Sequence, residues 1–274
     1  MHDSHVENNI HNIAVVGRDG AGKTELVNAL LKFQSKQAAT DVIEQPEEKE
    51  RGYTIYSSYY HFDNGGDPFN LIDTPGNTNF LSSLNVSVYA SSGAVFAASV
   101  PGDPERAFRI WESLNKNKTP RAIFMNIPDA SQGSFGDSLS EIETAFSVKP
   151  AVLYIPWIED EKLVGIIDII SQKLIKGDSK KTSVEDLPEA AKDEVERYRS
   201  ITYERLAELD DELMEYYIDE KPAPDELMVK VLSEGIRSCG ITPVLVGSVN
   251  ADVGVNNLFD FIKLFGAEAH FLSL

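Results

Sequence analysis

One short segment combines residue types that could hold a polyphosphate. Residues 17–24 read Gly-Arg-Asp-Gly-Ala-Gly-Lys-Thr, which matches the pattern G-x-x-x-x-G-K-[ST] of the P-loop. Its glycines let successive backbone N–H groups converge on phosphate oxygens. The Lys23 ammonium would place a positive charge on the outer phosphates, and the Thr24 hydroxyl is a hard oxygen ligand suited to Mg²⁺. The residues expected to contact the ligand are Asp19, Gly20, Ala21, Gly22, Lys23 and Thr24.

The residues on either side of this segment predict the elements that the motif requires. Residues 13–16 are four consecutive apolar residues and indicate a buried strand. Residues 25–33 place Leu26, Leu30 and Phe33 on one face of a helix. The positive end of that helix would add to the attraction for phosphate. A chance match in a surface turn is the alternative, and the strand, loop and helix together disfavour it.

Further apolar segments predict a mostly parallel sheet with helices on both faces, which is an α/β fold. A ligand would then lie beyond the carboxyl ends of the strands. The polar and acidic residues 40–51 predict a mobile loop, and a helix at residues 105–115 is expected to bury Phe108 and Trp111. Further strands are predicted at residues 53–62 (at a sheet edge), 69–72, 93–100, 121–126 and 243–246, and further helices at residues 80–91, 227–238 and 257–264.

The pattern changes near residue 150, where we expect a small α+β insert. Its predicted elements are short strands at residues 151–158, 164–169 and 173–175, and a long charged helical region at residues 184–218 that is broken near Ile201. The predicted domains are a P-loop domain at residues 1–149 and 226–274 and an inserted subdomain at residues 150–225.

Two further loops carry residues suited to a metal and phosphate site. Thr54 follows the charged loop and could add a second hydroxyl to Mg²⁺, although an ordinary strand threonine explains it equally well. Asp73 ends a strand, where its carboxylate can hold the metal through water. Gly76 lacks a Cβ, so its N–H can turn toward a terminal phosphate. A tight turn alone would also explain the Asp-Thr-Pro-Gly at residues 73–76.

Residues that follow two later strands could recognise a base. A carboxylate at Asp129, close to Asn126, can accept two N–H groups from the edge of guanine, which adenine does not offer in that arrangement. Ser248 could present its backbone N–H to the guanine carbonyl, and Val249 beside it is expected to contact the nucleotide. Each of these residue types is common in loops, so none of them identifies a guanine site alone.

As an ordered set, these motifs resemble the translational GTPases, specifically elongation factor G and the elongation-factor-G-like proteins. The resemblance covers residues 12–265 and includes residues 164–168 and 208–217 of the insert. Motifs in the same order at matching intervals are more specific than any single pattern. They are Gly-Arg-Asp-Gly-Ala-Gly-Lys-Thr (17–24), Glu-Arg-Gly-Tyr-Thr-Ile (50–55), Asp-Thr-Pro-Gly (73–76), Asn-Ile-Pro-Asp (126–129) and Gly-Ser-Val-Asn (247–250).

The resemblance implies a P-loop GTPase (G) domain with an inserted G′ subdomain, which binds GTP or GDP with Mg²⁺. It implies that Thr24, Thr54 and Asp73 hold the metal, that Thr54 belongs to switch I, and that Asp73 and Gly76 form the switch II pair. It further implies a ribosomal partner, since the insert of this family faces the ribosomal stalk. The four further domains of the full factor are expected to be absent, so the chain is a fragment or works without them.

Two positions depart from the family pattern. The family motif Asp-Thr-Pro-Gly-His carries a histidine that positions the attacking water, and this chain has Asn77 there. Because phosphoryl transfer depends on positioning and charge stabilisation, we expect nucleotide binding with slow hydrolysis, served by Lys23, Thr54, Gly76 and Asn77. In the guanine motif Asn-Lys-x-Asp the lysine is replaced by Ile127, which can pack on the purine but supplies no charge.

Composition excludes several other classes of protein. The 274 residues carry a net charge of -19, so we expect no basic groove for direct binding of nucleic acid. A single cysteine excludes an internal disulfide and suits a reducing cytoplasm. No apolar run approaches membrane-spanning length and the first ten residues are polar, so we expect a cytoplasmic protein without a signal peptide or a membrane partner.

Three functional hypotheses follow. The first is a Mg²⁺-dependent guanine-nucleotide switch that hydrolyses GTP slowly. The second is a degenerate GTPase that holds nucleotide without turnover, which Asn77 and Ile127 suggest. The third is an interaction protein whose acidic insert docks a partner, for which a solvated charged helix is the simpler alternative.

Overall fold

The computed structural model describes residues 10–34, 45–64, 67–128, 130, 132–263 and 265. Within these residues the strands are β1 (His11–Val16), β2 (Ser58–Asn64), β3 (Asp67–Asp73), β4 (Gly93–Ser99), β5 (Arg121–Asn126), β6 (Pro150–Val152), β7 (Tyr154–Glu159), β8 (Lys162–Asp168), β9 (Lys173–Asp178), β10 (Lys181–Asp186) and β11 (Thr242–Gly247). The helices are α1 (Lys23–Gln34), α2 (Pro46–Arg51), α3 (Leu81–Tyr89), α4 (Phe108–Asn117), α5 (Phe135–Phe146), α6 (Lys192–Ala207), α7 (Asp211–Ile218), α8 (Asp225–Arg237) and α9 (Val255–Ile262).

The apolar runs of the sequence form the inner strands of a seven-stranded sheet with the order β2–β3–β1–β4–β5–β11–β6. Neighbouring strands are parallel except for β2 and β3, which form an antiparallel pair at one edge. Residues 13–16 of β1 have no exposed surface. A parallel sheet covered on both faces requires such uninterrupted apolar strands. The predicted α/β fold is therefore confirmed.

Two apolar layers, one on each face of this sheet, join it to its helices. On one face α3, α4 and α5 contribute Leu84, Trp111 and Ile142 to the buried cluster. On the other face α1 and α9 contribute Leu30 and Phe259, while α8 adds the buried Val231. Both layers fix the strands against the helices, so the loops at the carboxyl ends of the strands have a rigid base.

A second, antiparallel sheet accounts for most of the region after residue 150. Its order is β10–β9–β8–β7, and it is followed by α6 and α7, which pack against each other. The hydroxyl of Thr202 in α6 donates to the Val152 carbonyl at 3.0 Å, which attaches this helix to the main sheet. The extra sheet is the α+β insert that the sequence predicts.

Several predicted elements of the insert differ from the structure. The predicted strand at 151–158 is two strands, because β6 pairs with β11 in the main sheet and β7 starts the second sheet. The predicted helix from residue 184 is wrong at its start, where β10 pairs with β9. Its predicted break near Ile201 is also wrong, since α6 runs through to Ala207 and Asp210 then caps α7 through the Leu213 N–H at 2.9 Å.

Other differences lie in the main domain. The predicted loop at 40–51 contains α2, while residues 40–44 lie outside the described residues. The strand predicted at 53–62 begins only at Ser58, and it does lie at the sheet edge. The sequence analysis missed α5, although Ser134 accepts a capping bond from the Asp137 N–H at 3.3 Å. Phe108 is 45 % exposed and not in the core, unlike the fully buried Trp111.

Candidate functional site

The loop between β1 and α1 has a backbone that needs glycine at several positions. Gly20 and Gly22 have φ angles of 78° and 85°, in the left-handed region that side chains disfavour. A Cβ on Gly22 would lie 2.6 Å from Asn126 Nδ2, and one on Gly17 would lie 2.4 Å from the Ala97 carbonyl oxygen of β4. The loop is therefore packed closely against two neighbouring strands while its N–H groups stay at the carboxyl end of β1.

Lys23 lies at the first position of α1 with only 5 % of its surface exposed. Its ammonium donates to the Arg18 carbonyl at 3.0 Å. Burial lowers the pKa of Lys23, although the negative charges of Asp73 and Asp19 oppose this effect. An ammonium that has lost most of its hydration gains strongly from an added anion, which is the role that a phosphate group would fill.

The three residues predicted to hold a metal ion converge in space. The Thr24 hydroxyl donates to Asp73 Oδ2 at 2.7 Å, and the hydroxyl oxygens of Thr24 and Thr54 are 3.3 Å apart. Asp73 is 2 % exposed, and its burial raises its pKa to about 6 despite the opposing effects of Thr24 and Lys23. The second carboxylate oxygen, Oδ1, is buried without a hydrogen-bond partner among the described residues.

These groups fit a magnesium ion. Mg²⁺ prefers hard oxygen ligands and is usually held by one or two carboxylates, with water and phosphate oxygens completing its shell. One buried carboxylate and two hydroxyls supply that donor set, and the unpartnered Oδ1 of Asp73 is the kind of atom that a cation stabilises. Within the described residues no group of three His, Cys, Asp or Glu forms an alternative metal cluster.

A cavity of about 320 Å³ lies beside these residues. It is lined by the glycine-rich loop, by the start of α1 and by Asp73. It is also lined by α2 and the segment that follows it, through Glu48, Lys49 and Thr54. The cavity therefore joins the phosphate-binding loop to the predicted metal ligands.

Gly76 and Asn77 lie next to the phosphate-binding loop but differ in their surroundings. A Cβ on Gly76 would lie 2.5 Å from Lys23 Nζ and from the Asp19 nitrogen, so only glycine fits there. Asn77 does not line the cavity. Its Oδ1 accepts the Asn79 N–H at 3.0 Å and caps the short helical turn that follows. The amide oxygen of Asn77 thus takes part in capping this turn.

Two of the predicted base-binding residues, Asn126 and Val249, are hydrogen-bonded to each other. Asn126, at the end of β5, is 7 % exposed; its Oδ1 accepts the Val249 N–H at 3.1 Å and its Nδ2 lies 3.5 Å from the Ala21 carbonyl. The expectation that Ser248 offers a free N–H is wrong, because that N–H donates to the Val253 carbonyl at 3.0 Å. Asp129 lies outside the described residues.

Ile127 is also placed differently from the expectation. It is 2 % exposed and belongs to the apolar core on the side of α3, α4 and α5, while its N–H donates to the Gly247 carbonyl at 2.8 Å. A side chain in that core does not pack on a base in the cavity. The expectation that Ile127 covers the purine is therefore wrong.

Sequence reasoning missed Glu48, a buried carboxylate that lines the cavity from α2. It lies in a run of charged residues that favours solvent exposure, and its neighbours Glu47 and Lys49 are exposed. The sequence offered one signal, since Pro46 followed by two glutamates is typical of a helix start.

The strand order, the loop after β1 and the convergence of Thr24, Thr54 and Asp73 define a P-loop GTPase fold with an inserted subdomain. The chain belongs to the family of the elongation factor Tu GTP binding domain, whose family model matches residues 8–265. The resemblance to translational GTPases in the sequence motifs is thereby confirmed.

Individual relatives agree with this assignment. The chain is 30 % identical over 263 residues to the elongation factor G-like protein of Thermotoga maritima, covering 94 % of this chain and 38 % of that protein. It is 31 % identical over 269 residues to elongation factor G of Wolbachia pipientis subsp. Culex pipiens, covering 93 % and 39 %. The chain thus spans about two fifths of the length of these curated relatives.

A solved structure from Thermus thermophilus has the same fold, with a TM-score of 0.85 at 23 % identity. The superposition covers 95 % of this chain and 40 % of that one. Among the residues that the structure describes, no helix is long and apolar enough to cross a membrane.

Proposed function

We propose that this chain is a guanine-nucleotide-binding domain that binds GTP and GDP with Mg²⁺ and hydrolyses GTP slowly. The observation that carries the proposal is the convergence of Thr24, Thr54 and Asp73 beside the buried Lys23, on one cavity of about 320 Å³. A buried ammonium and a buried carboxylate with an unpartnered oxygen are costly in isolation, and a metal-bound polyphosphate would satisfy both.

The roles divide between the cavity and the loops after β5 and β11. Residues 19–24 would donate backbone N–H groups and the Lys23 ammonium to the phosphates. Thr24, Thr54 and Asp73 would hold Mg²⁺, which when bound would neutralise charge on the outer phosphates. Asp129 would read the guanine edge. Asn126, Ser248 and Val249 would act by fixing the loop beside the base, since Asn126 accepts the Val249 N–H and the Ser248 N–H donates to Val253 within that loop.

Slow hydrolysis follows from the environment of Asn77. The family histidine at this position orients the attacking water, whereas Asn77 has only a neutral amide, whose Oδ1 already accepts the Asn79 N–H. The N–H of Gly76, which lies close to the Lys23 ammonium, would still stabilise charge on the terminal phosphate. Binding and charge stabilisation are thus retained while water positioning is weak.

Phosphate release tests this function directly. Purified protein would be incubated with GTP and Mg²⁺, with the Lys23→Ala variant as the control and ATP as the competing nucleotide. We expect release above the control that GDP inhibits and ATP does not. No release above the Lys23→Ala control, even with ribosomes added, would contradict the enzymatic part, and equal affinity for ATP would contradict the guanine selectivity.

A nucleotide-binding switch without turnover is the second candidate. Two observations favour it: the neutral amide of Asn77, whose Oδ1 caps the following turn, and Ile127 buried in the core where the family motif has lysine. Titration calorimetry separates the two candidates, because micromolar binding of GTP and GDP without phosphate release would support the switch alone.

We further propose a cytoplasmic protein whose insert, residues 150–225, meets the ribosomal stalk without a basic groove for nucleic acid. The elongation factor G relatives support this partner, and the net charge of -19 supports the absence of a basic groove. The measurement is co-sedimentation of the full chain with ribosomes and with stalk-depleted ribosomes. Equal sedimentation with both would contradict the proposal.

A further inference from the structure

The side chain of Glu48 makes contacts that its exposed neighbours do not explain. Only 7 % of this residue is exposed, although it lies on a short helix between charged residues. Its Oε1 accepts the backbone N–H groups of Ile55 at 2.7 Å and Tyr56 at 3.1 Å, and its Oε2 accepts the Gln45 N–H at 3.0 Å. Three N–H donors compensate a buried carboxylate for its lost hydration.

The backbone of Glu48 holds the same stretch of chain from its other end. The carbonyl of Glu48 accepts the Gly52 N–H at 2.7 Å, and Gly52 turns the chain with a left-handed φ of 71°. Residues 52–56, which we name the Thr54 segment, are therefore bound to Glu48 on both sides of Thr54. Ile55 and Tyr56 are the next two residues after that threonine.

These bonds set the position of the Thr54 hydroxyl. That hydroxyl lies 3.3 Å from the Thr24 hydroxyl, which in turn donates to Asp73. The segment has no strand pairing of its own, since β2 begins at Ser58. A loop residue stays close to a metal site only if its backbone is fixed, and two bonds to one carboxylate oxygen directly after Thr54 provide that restraint.

We propose that Glu48 is a positioning residue that holds Thr54 at the metal end of the cavity, so that its loss weakens binding of Mg²⁺ with a triphosphate more than binding of a diphosphate. This inference rests on the proposed function. The terminal phosphate and Mg²⁺ are the parts of the ligand that Thr54 would contact, whereas the inner phosphate would be held by the glycine-rich loop. Among the described residues, the hydrogen bonds of the Glu48 side chain go to Gln45, Ile55 and Tyr56 and not to that loop.

A purely structural role makes a different prediction. The Gln45 N–H bond and the Glu48 side chain form a capping box for α2, which alone would affect the stability of that helix. Loss of such a cap would either lower the affinities for GTP and GDP equally or leave both unchanged. Only a positioning role separates the two nucleotides and changes the Mg²⁺ requirement.

The experiment compares the full chain with its Glu48→Ala and Glu48→Gln variants, and uses Glu47→Ala as the matched control because Glu47 is exposed on the same helix. Affinities for GDP and for a non-hydrolysable GTP analogue are measured across a Mg²⁺ titration. For Glu48→Ala we expect about tenfold weaker binding of the analogue and a similar rise in the Mg²⁺ requirement, with GDP within about twofold. Glu48→Gln keeps an oxygen acceptor, so its affinity for the analogue and its Mg²⁺ requirement should lie between those of the wild type and of Glu48→Ala.

A loss that is equal for both nucleotides, or an unchanged Mg²⁺ requirement, would overturn the proposal. Amide hydrogen exchange without nucleotide separates this result from failure of the proposed function. The Ile55 and Tyr56 amides should exchange at least about tenfold faster in Glu48→Ala than in Glu47→Ala. If no guanine nucleotide binds, the proposed function is wrong, but the exchange rates still test whether Glu48 restrains the Thr54 segment. Equal exchange rates in the Glu48→Ala and Glu47→Ala variants would refute the role of Glu48.

Discussion

Two regions of the proposed nucleotide site differ in how their polar groups are used: the phosphate end is the cavity beside Lys23, and the base end is the neighbourhood of Asn126 and the loop after β11, which do not line that cavity. At the phosphate end, Lys23 is buried with a carbonyl partner and Asp73 Oδ1 has no partner among the described residues. At the base end, Asn126 accepts from Val249, and the Ser248 N–H is bound within its own loop. The phosphate end is thus preorganised for a charged ligand, whereas the base end is preorganised as a link between loops.

This difference gives each end its own expected effect on binding. Groups at the phosphate end should contribute affinity directly, because a ligand supplies the charges that they lack. Groups at the base end should act through one another, so that their loss disturbs the geometry of the loop. The following variants test that division.

Removal of the buried ammonium should have the largest effect. Lys23→Ala should weaken GTP affinity by about a thousandfold, or roughly 4 kcal/mol, since it leaves the phosphates without their main countercharge. The free protein should not lose stability, because the desolvated ammonium is itself unfavourable. Calorimetry and thermal unfolding measure the two quantities. A Lys23→Ala variant with a lower unfolding temperature than the wild type, or with a GTP affinity within about tenfold of it, would contradict this prediction.

The phosphate end should also respond to pH through Asp73. Mg²⁺ needs the ionised carboxylate, so its affinity should fall about tenfold for each pH unit below 6. In the metal-free protein the sign is reversed. Because the folded-state pKa is about 6 and the ordinary value is 3.8, the folded state binds the proton more tightly. Stability from this group should therefore be lost as pH rises through about 6, by roughly 3 kcal/mol in all.

Asp73→Asn is the control for both parts of that prediction. It should remove the pH dependence of unfolding that the carboxyl contributes, and it should bind Mg²⁺ poorly at every pH. Thermal unfolding and Mg²⁺ titration of both proteins across this pH range are the measurements. Parallel pH profiles for the two proteins would show that Asp73 is not the titrating group.

At the base end, Asn126→Ala should weaken nucleotide binding by about thirtyfold, or roughly 2 kcal/mol, because it leaves the Val249 N–H without its acceptor. Asn126→Asp keeps an oxygen acceptor for that N–H and removes the contact with the Ala21 carbonyl. It therefore separates the contributions of the two hydrogen bonds to nucleotide affinity. GDP and GTP should be affected equally, which calorimetry can measure. A loss confined to GTP would place Asn126 with the phosphate end.

Asn77→His should raise the rate of GTP hydrolysis by about tenfold or more while leaving affinity within about twofold, since an imidazole can orient or accept a proton from water. Single-turnover phosphate release measures it. A matched Asn79→His variant, two residues along, should not change the rate. An unchanged rate for Asn77→His would favour the switch without turnover.

The smallest effect should come from the insert. The Ser179 hydroxyl donates to Asp252, and the Ser179 N–H donates to the Asp252 carbonyl at 3.0 Å, so the turn between β9 and β10 touches the loop that follows Ser248. Ser179→Ala should speed the release of bound GDP by about twofold. Stopped-flow measurement with Ser183→Ala as the control tests it, and equal rates would show that the base end is independent of the insert.

The phosphate end was more predictable than the base end for a physical reason. Lys23 and Thr24 follow β1 within one loop, and their geometry depends on backbone conformations that glycines at fixed spacing determine. Asn126 and Val249 lie on separate strands, and their hydrogen bond depends on the lateral order of β5 and β11. The sequence predicted the presence of these residues in one site but not that their polar groups bind each other.

Elements of the insert show the same limit of prediction from the sequence. The apolar residues of β8 are readable as a strand, whereas every residue of β10 is exposed and the segment is a strand because it pairs with β9. Glu48 is a parallel case, since a charged residue in a charged run gives no sign that the backbone of residues 55 and 56 will surround it.

The sequence by itself determined the P-loop, the apolar strands around it and the family, because these depend on residue type and on spacing along a few turns of chain. Only the tertiary structure decided that Thr54 lies against Thr24, that Glu48 is buried and that Ser248 has no free N–H. Those outcomes depend on which distant segments meet when the two apolar layers close on the sheet, and no local pattern of residues encodes such a meeting.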